Sequence, residues 1–155
     1  MPKLSNHTKA VLFDENIIEQ NILRRESANV VQRLDYTLSR PRNDFGKPYG
    51  RMSGSEMAIV TLIGTHDTKE YYERLVSDES QTFSLVFNAI YDENNILCSF
   101  DSAMVVEGYI VDVVELYDND AASEGNQMSL EFSFLLTSIT YIGEDERHLR
   151  LDFVN

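Results

Sequence analysis

Apolar and polar residues alternate in twos along most of this chain. Leu34, Tyr36 and Leu38 take turns with Arg33, Asp35 and Thr37, the period of a strand with one face in water. The same period returns over Thr82 to Ile90, where Phe83, Leu85, Phe87 and Ala89 oppose Ser84, Val86 and Asn88, and again in Leu149, Leu151 and Phe153. Two longer β-branched runs, Ala103 to Tyr117 and Met128 to Ile142, predict long strands. Gly108 interrupts the first and marks a bulge or a close backbone approach. Glu56 to Gly64 is almost continuously apolar, which predicts a central strand covered on both faces. Ala10 to Phe13 and Ile17 to Leu23, parted by the turn residues Asp14 to Asn16, predict a hairpin. A second hairpin is predicted where Tyr91 to Asn95 turns into Ile96 to Phe100.

One stretch leaves this period. Asp67 followed by Glu70 three residues later has the form of a capping box, and Tyr71, Tyr72, Leu75 and Val76 recur at helical spacing. A helix over Thr68 to Ser77 is predicted, too short to persist unless Tyr71 and Leu75 pack onto a sheet. Many strands and one helix predict a mainly β fold: an antiparallel β-barrel or two-sheet sandwich with one short flanking α-helix. The 155 residues fit a single domain. Long strands leave edges that must be capped or paired with another chain, and a ring is one closed solution.

Between the strands at Leu34 and Glu56 lies a long loop, Arg40 to Gly54, and loops of this length tend to be functional. It is basic through Arg40, Arg42, Lys47 and Arg51, and it holds two aromatic residues, Phe45 and Tyr49. The charge of the whole chain is −13, so direct binding to nucleic acid or to an anionic membrane is not expected. The sign is unevenly spread. Residues 1 to 54 carry nine Lys or Arg against six Asp or Glu, whereas 55 to 155 carry four against twenty. A solvated acidic face would look like this. So would a self-complementary chain, in which the basic loop of one copy meets the acidic surface of the next. On the second reading Arg40, Arg42, Lys47 and Arg51 dock on a neighbour, with Phe45 and Tyr49 as apolar anchors.

Signals of chemistry are weak. His7, His66 and His148 have no ligand spacing, and the single Cys98 excludes an intramolecular disulfide and a cysteine-based metal cluster. Gly50 to Gly54 reads G-x-x-S-G rather than G-x-S-x-G and precedes a strand. Asp118 and Asp120 begin like a calcium loop, but Ala122, Ser123 and Ser129 stand where a ligand, a glycine and a glutamate are required. No phosphate-binding glycine motif occurs. The expectation is a protein with no catalytic, metal or cofactor site. No apolar stretch has the length of a membrane span and the first residues lack a signal-peptide core, which predicts a soluble protein made in the cytoplasm.

The segment DYTLSRP..D.FGKP from Asp35 to Pro48, the helix DTKEYYERLV and the strand MSLEFSFLLTSITYIG resemble, in this order, the haemolysin-coregulated protein (Hcp, or TssD) family of type VI secretion, as a divergent branch. The resemblance covers about residues 30 to 143, with an extension before it and a tail after it. It implies a small β-barrel with a flanking helix, joined edge to edge into hexameric rings that stack into a tube expelled by a contractile sheath. It also implies a lumen that accepts secreted effectors, a spike protein at the tip, and export from the bacterial cytoplasm without a signal peptide. Arg40 to Gly54 would be the loop that contacts neighbouring protomers and the adjacent ring. Other readings are a phage-type or extracellular contractile-injection tail-tube subunit, and a monomeric ligand-binding or effector-chaperone barrel whose acidic interior or face captures a basic partner and whose signature would be a closed apolar cavity. A hydrolase using a carboxylate pair is a further one.

Overall fold

The structure, a computed structural model, describes residues 9–20, 22–38, 42–47, 56–64, 67–116, 127–145 and 147–153. Its strands are β1 (Ala10–Phe13), β2 (Asn29–Tyr36), β3 (Glu56–Gly64), β4 (Gln81–Phe87), β5 (Ile90–Tyr91), β6 (Leu97–Ser99), β7 (Ser102–Leu116), β8 (Gln127–Ile142) and β9 (His148–Asp152); among the described residues there are one α-helix, α1 (Thr68–Leu75), and a single 3-10 turn, Arg25–Ser27. The sheet runs β3-β2-β1-β4-β7-β8-β9, and a further pairing of β3 with β8 closes six strands into an antiparallel barrel. β9 is an added strand on β8. It occupies Ser138 to Ile142, while β3 takes Glu56↔Leu135 to Gly64↔Gln127 on the same β8 strand.

The long strands β7 and β8 follow from their β-branched and aromatic runs, and their inward positions fill the barrel. Phe83, Phe132, Phe134, Met57, Ile59 and Leu130 are fully buried, so the interior is packed side chains. Phe132 lies between Tyr71 and Phe83, with ring centroids 5.3 and 5.5 Å away. β1 and β4 are shorter than β7 and β8, and α1 lies where they stop. Tyr71 and Leu75 complete the wall there by packing onto the same core.

The opposite face of β4 and β7 is also buried. A second core of Phe13, Leu23, Val86, Ala103, Val105 and Ile142 lies there, with Ile17 packed against it. This explains why the described residues of Ile17 to Leu23 form no hairpin strand. The segment turns at Asn16, whose carbonyl accepts the Glu19 and Gln20 amides, and Ser84 pins it by accepting the Ile17 amide at 2.9 Å. β1 instead pairs with β2 and β4.

Three further expectations need correction. Asp67 makes no side-chain cap to α1, although its carbonyl accepts the Glu70 amide. β3 is central in pairing but has only one fully buried face: Met57, Ile59, Thr61 and Ile63 are buried, whereas Ala58, Val60 and Leu62 are half-exposed. β4 ends at Phe87 because Asn88 adopts φ +54°, so the second hairpin is a separate pair, β5 and β6.

Arg74 anchors α1. Its guanidinium stands 5.2 Å from the centroids of Tyr71 and Phe83 and is bonded to Asp14. Burial pushes the Tyr71 hydroxyl up to about 12, more than the nearby Arg74 charge and the Asn29 amide lower it. A tyrosine raised in the folded state favours folding fully below pH 10, and that share is lost as pH climbs through about 12. A displacement of that size corresponds to roughly 2–3 kcal/mol. Wild-type stability should therefore fall more steeply than that of Tyr71→Phe between pH 10 and 12, as read from urea midpoints; parallel curves would refute the assignment.

Candidate assembly interface

The part of the long loop that the structure describes is a tight turn, residues 42–47. Asn43 organises it. Its Oδ1 accepts the amides of Phe45 and Lys47, both at 3.0 Å, while its backbone N–H donates to the Lys47 carbonyl at 2.9 Å. Gly46 sits at φ +80°, which only glycine adopts without strain. The turn presents Phe45 with 90% of its surface exposed, between the exposed cations Arg42 and Lys47. Arg40, Tyr49 and Arg51, expected to act with them, lie outside the described residues.

The sheet supplies a second feature that no short motif signals. β2, β3, β8 and β7 form four adjacent strands whose residues fall on common rows. Arg33, Val60, Glu131 and Val114 share one row; Leu34, Ile59, Phe132 and Val113 share the next. Asp35, Ala58, Ser133 and Asp112 follow, then Tyr36, Met57, Phe134 and Ile110. At both ends of these rows the sheet stops. β1 pairs with β2 only over Asn29–Val31, and β4 pairs with β7 only over Ser102–Gly108. Among the described residues, no strand pairs with the outer side of β2 at 33–36 or of β7 at 109–116.

The outward positions of these strands are small, aliphatic or hydroxylated: Ala58, Val60, Leu62, Ser129, Ser133 and Leu135 are all half-exposed. Glu131 and Asp112 add negative charge. The only cation on those rows, Arg33, is bonded to Asp35 at 2.6 Å.

The two mouths of the barrel differ. β2 ends and β3 begins at one mouth, so the connection holding the 42–47 turn leaves and re-enters there. α1 stands at the other. Its exposed side shows Val76 just beyond its last turn, at 79%, and Tyr72 at 42%, with Glu70 and Glu73 beside them and Asp78 and Glu79 following. At that mouth loss of hydration raises the Asp14 carboxyl above the ordinary range despite the Arg74 charge beside it.

No group of three or more His, Cys, Asp or Glu side chains among the described residues is arranged to hold a metal ion. His66 and the 118–126 loop lie outside those residues. No described helix is long and apolar enough to cross a membrane. Cys98 is exposed on β6, with its thiol 3.3 Å from the Ile90 carbonyl.

Neither a family model nor a curated protein matches the sequence. Solved structures do. A crystal structure of an Hcp protein aligns with a TM-score of 0.67 at 10% identity, over 96% of this chain and 99% of that one. The fold is Hcp-like. The likeness extends to the secreted protein Hcp3 from Pseudomonas aeruginosa, with a TM-score of 0.62 at 13% identity over 96% and 100% of the two chains. Hcp1 from E. coli EAEC 042, in a mutant form, gives 0.61 at 14% identity over 95% and 98%. Likeness at identity this low establishes the Hcp-like architecture and leaves assembly and function to be argued from this chain's own residues.

Proposed function

We propose that this protein is a tube subunit of the type VI secretion kind, which assembles edge to edge into hexameric rings that stack into an expelled tube. The observation that supports it is the four-stranded sheet with open edges at both ends of the same rows. An unpaired edge is a template for another chain, and two different edges on one subunit make a heterologous contact, which closes into a ring when the rotation permits. Strand direction fits. The four strands alternate, so β7 of one copy running beside β2 of the next continues the antiparallel pattern without interruption.

In such a ring the outward face of β2, β3, β8 and β7 would line the lumen, because the rest of the barrel lies on the other side of that sheet. Small and hydroxylated residues would give cargo a smooth wall with few places to bind. The role is mechanical and not enzymatic: secreted effectors occupy the lumen, a spike protein caps the tip, and sheath proteins surround the tube. Export by the secretion machinery rather than through a signal peptide completes the reading. The packed interior offers little support to a lone barrel that binds a ligand inside.

Light scattering and negative-stain images of the purified protein test this directly, with hexamer-sized rings expected. Hydrogen exchange on the same fractions should show residues 33–36 and 109–116 protected in rings and fast in dissociated subunits. A monomer under all conditions, or rings whose edges exchange as fast as in free subunits, would refute it.

A further inference from the structure

The barrel mouth where β2 ends holds a small aromatic pocket that tube assembly does not require. Tyr36, Phe87, Met104 and Tyr141 line a hollow of about 300 Å³ together with one carboxylate, Asp101, a size near the lower end for ligand sites. We propose that this pocket binds a small methylated ammonium ion, whose charge the aromatic rings and the Asp101 carboxylate share. The site lies within one subunit, so the proposal stands or falls apart from the tube reading.

Strand register brings these side chains together. Phe87 faces Ser102 and Met104 faces Tyr141, and Ser102 and Met104 are alternate residues of β7, so all four leave one face of the sheet. That face is the inward one, because Met104 is buried in the main core and Phe87 packs against it. Tyr36 joins from the opposite wall. It pairs with Met57, another core residue, and its hydroxyl donates to the Met104 sulfur at 3.6 Å, across the mouth. Tyr36 and Tyr141 keep 40% and 42% of their surfaces exposed. None of the three rings stacks on another: the ring contacts among the described residues lie deeper, between Tyr71, Phe83, Phe132 and Phe134. Rings that line a hollow without stacking keep their π surfaces for whatever enters it.

Charge then selects the ligand. The Asp101 backbone N–H donates to the Phe87 carbonyl at 3.0 Å, and its Oδ2 accepts from Asn88 Nδ2 at 2.7 Å. Asn88 is itself held, its Oδ1 accepting the Lys9 amide at 3.0 Å. An amide orients a carboxylate and leaves its charge in place. Among the described residues no Lys or Arg lines the pocket and Asp101 forms no ion pair. An anion is repelled there, and a neutral ligand gains only apolar contact. A cation among aromatic rings gains from their quadrupoles as well. Methyl groups suit the rest of the lining, since they ask for no hydrogen bonds that Phe87 and Met104 lack.

The test is a titration of the full-length protein with choline chloride, against sodium chloride at equal ionic strength. The readout is the NMR signal of the Met104 methyl group, assigned by its loss in Met104→Leu. That signal should shift and saturate, whereas neohexyl alcohol, the uncharged isostere of choline, should bind about fivefold more weakly or worse. Asp101→Asn keeps the shape of the site; it should weaken choline by about fivefold and leave the isostere unchanged. Tyr36→Leu with Tyr141→Leu should abolish saturation, while an unchanged Phe132 ring spectrum shows the barrel intact. Equal binding of the two probes reduces the site to an apolar hollow and overturns the proposal. So does a shift that never saturates, or choline binding that survives Asp101→Asn unaltered. A peptide bearing trimethyllysine that binds more tightly than choline would overturn the assignment to a small molecule.

Discussion

Gly108→Ala should lower stability by about 3 kcal/mol or more, the largest loss expected from a glycine-to-alanine change at Gly46, Gly108 or Gly143. A Cβ at this position falls on the Leu135 carbonyl oxygen and lies 2.9 Å from its carbon and 3.1 Å from Cε1 of Phe134. The first two are backbone atoms, so no rotamer change clears them. Gly108 cannot retreat either, because it pairs with Gln81 of β4 on one side and Leu136 of β8 on the other. The register slips beside it: Glu107 faces Ser138 while Gly108 faces Leu136, leaving Thr137 as an extra residue. Thr137 closes the defect by donating from Oγ1 to the Glu107 carbonyl at 3.0 Å. Gly108 is also where β4 leaves β7 and the open edge begins. An alanine should therefore cost folding first and, in whatever still folds, the edge geometry. Urea or thermal denaturation measures it; a midpoint within error of wild type would show that the two strands can part without penalty.

The sequence announced Gly108 because a glycine inside a β-branched run weakens the strand unless a bulge or a close backbone approach requires it. Strong local periodicity made the rest of the barrel legible as well. β3, placed by its continuous apolar run, β7 and β8, placed by their β-branched runs, and β9, placed by alternation, all fall within a residue or two of those positions, and α1 is two residues shorter than the predicted Thr68 to Ser77. Ile17 to Leu23 misled because only Ile17 and Leu23 pack on the second core with Val86 and Val105, while Ile18 and Ile22 are exposed, and such a covering segment has no strand period. The capping box misled because Asp67 has the right type but a helical backbone, φ −95° and ψ −4°, that leaves its side chain unbonded to the helix. The basic turn was visible as composition, and its shape depends on Asn43 and Gly46 acting together. That long strands leave edges was legible, but where the open edges lie was not. They arise because β1 and β4 are shorter than the strands beside them, a relation between segments distant in sequence that no local window contains.

Phe132→Ala should cost about 3–5 kcal/mol, the range for emptying a large aromatic site in a core that cannot collapse. Collapse is blocked on every side. Tyr71 and Phe83 pack against the Phe132 ring, β3 and β7 hold its backbone from both flanks, and the ring has no solvent exposure. Hydrogen exchange should show α1 loosening before the strands, since Tyr71 is the helix's one fully buried residue and loses a neighbour. Phe45→Ala is the natural control: its ring is 90% exposed, so folding stability should change by less than about 0.5 kcal/mol. Phe132 shares its row with Leu34 and Val113, one on each open edge. If the proposed rings form, a cavity there should weaken their assembly beyond the loss of folded subunits, because both edges are aligned through that row. An alanine variant within about 1 kcal/mol of wild type would mean that the three aromatic side chains are not the hub of the barrel, and the coupling between core and edge would fall with it.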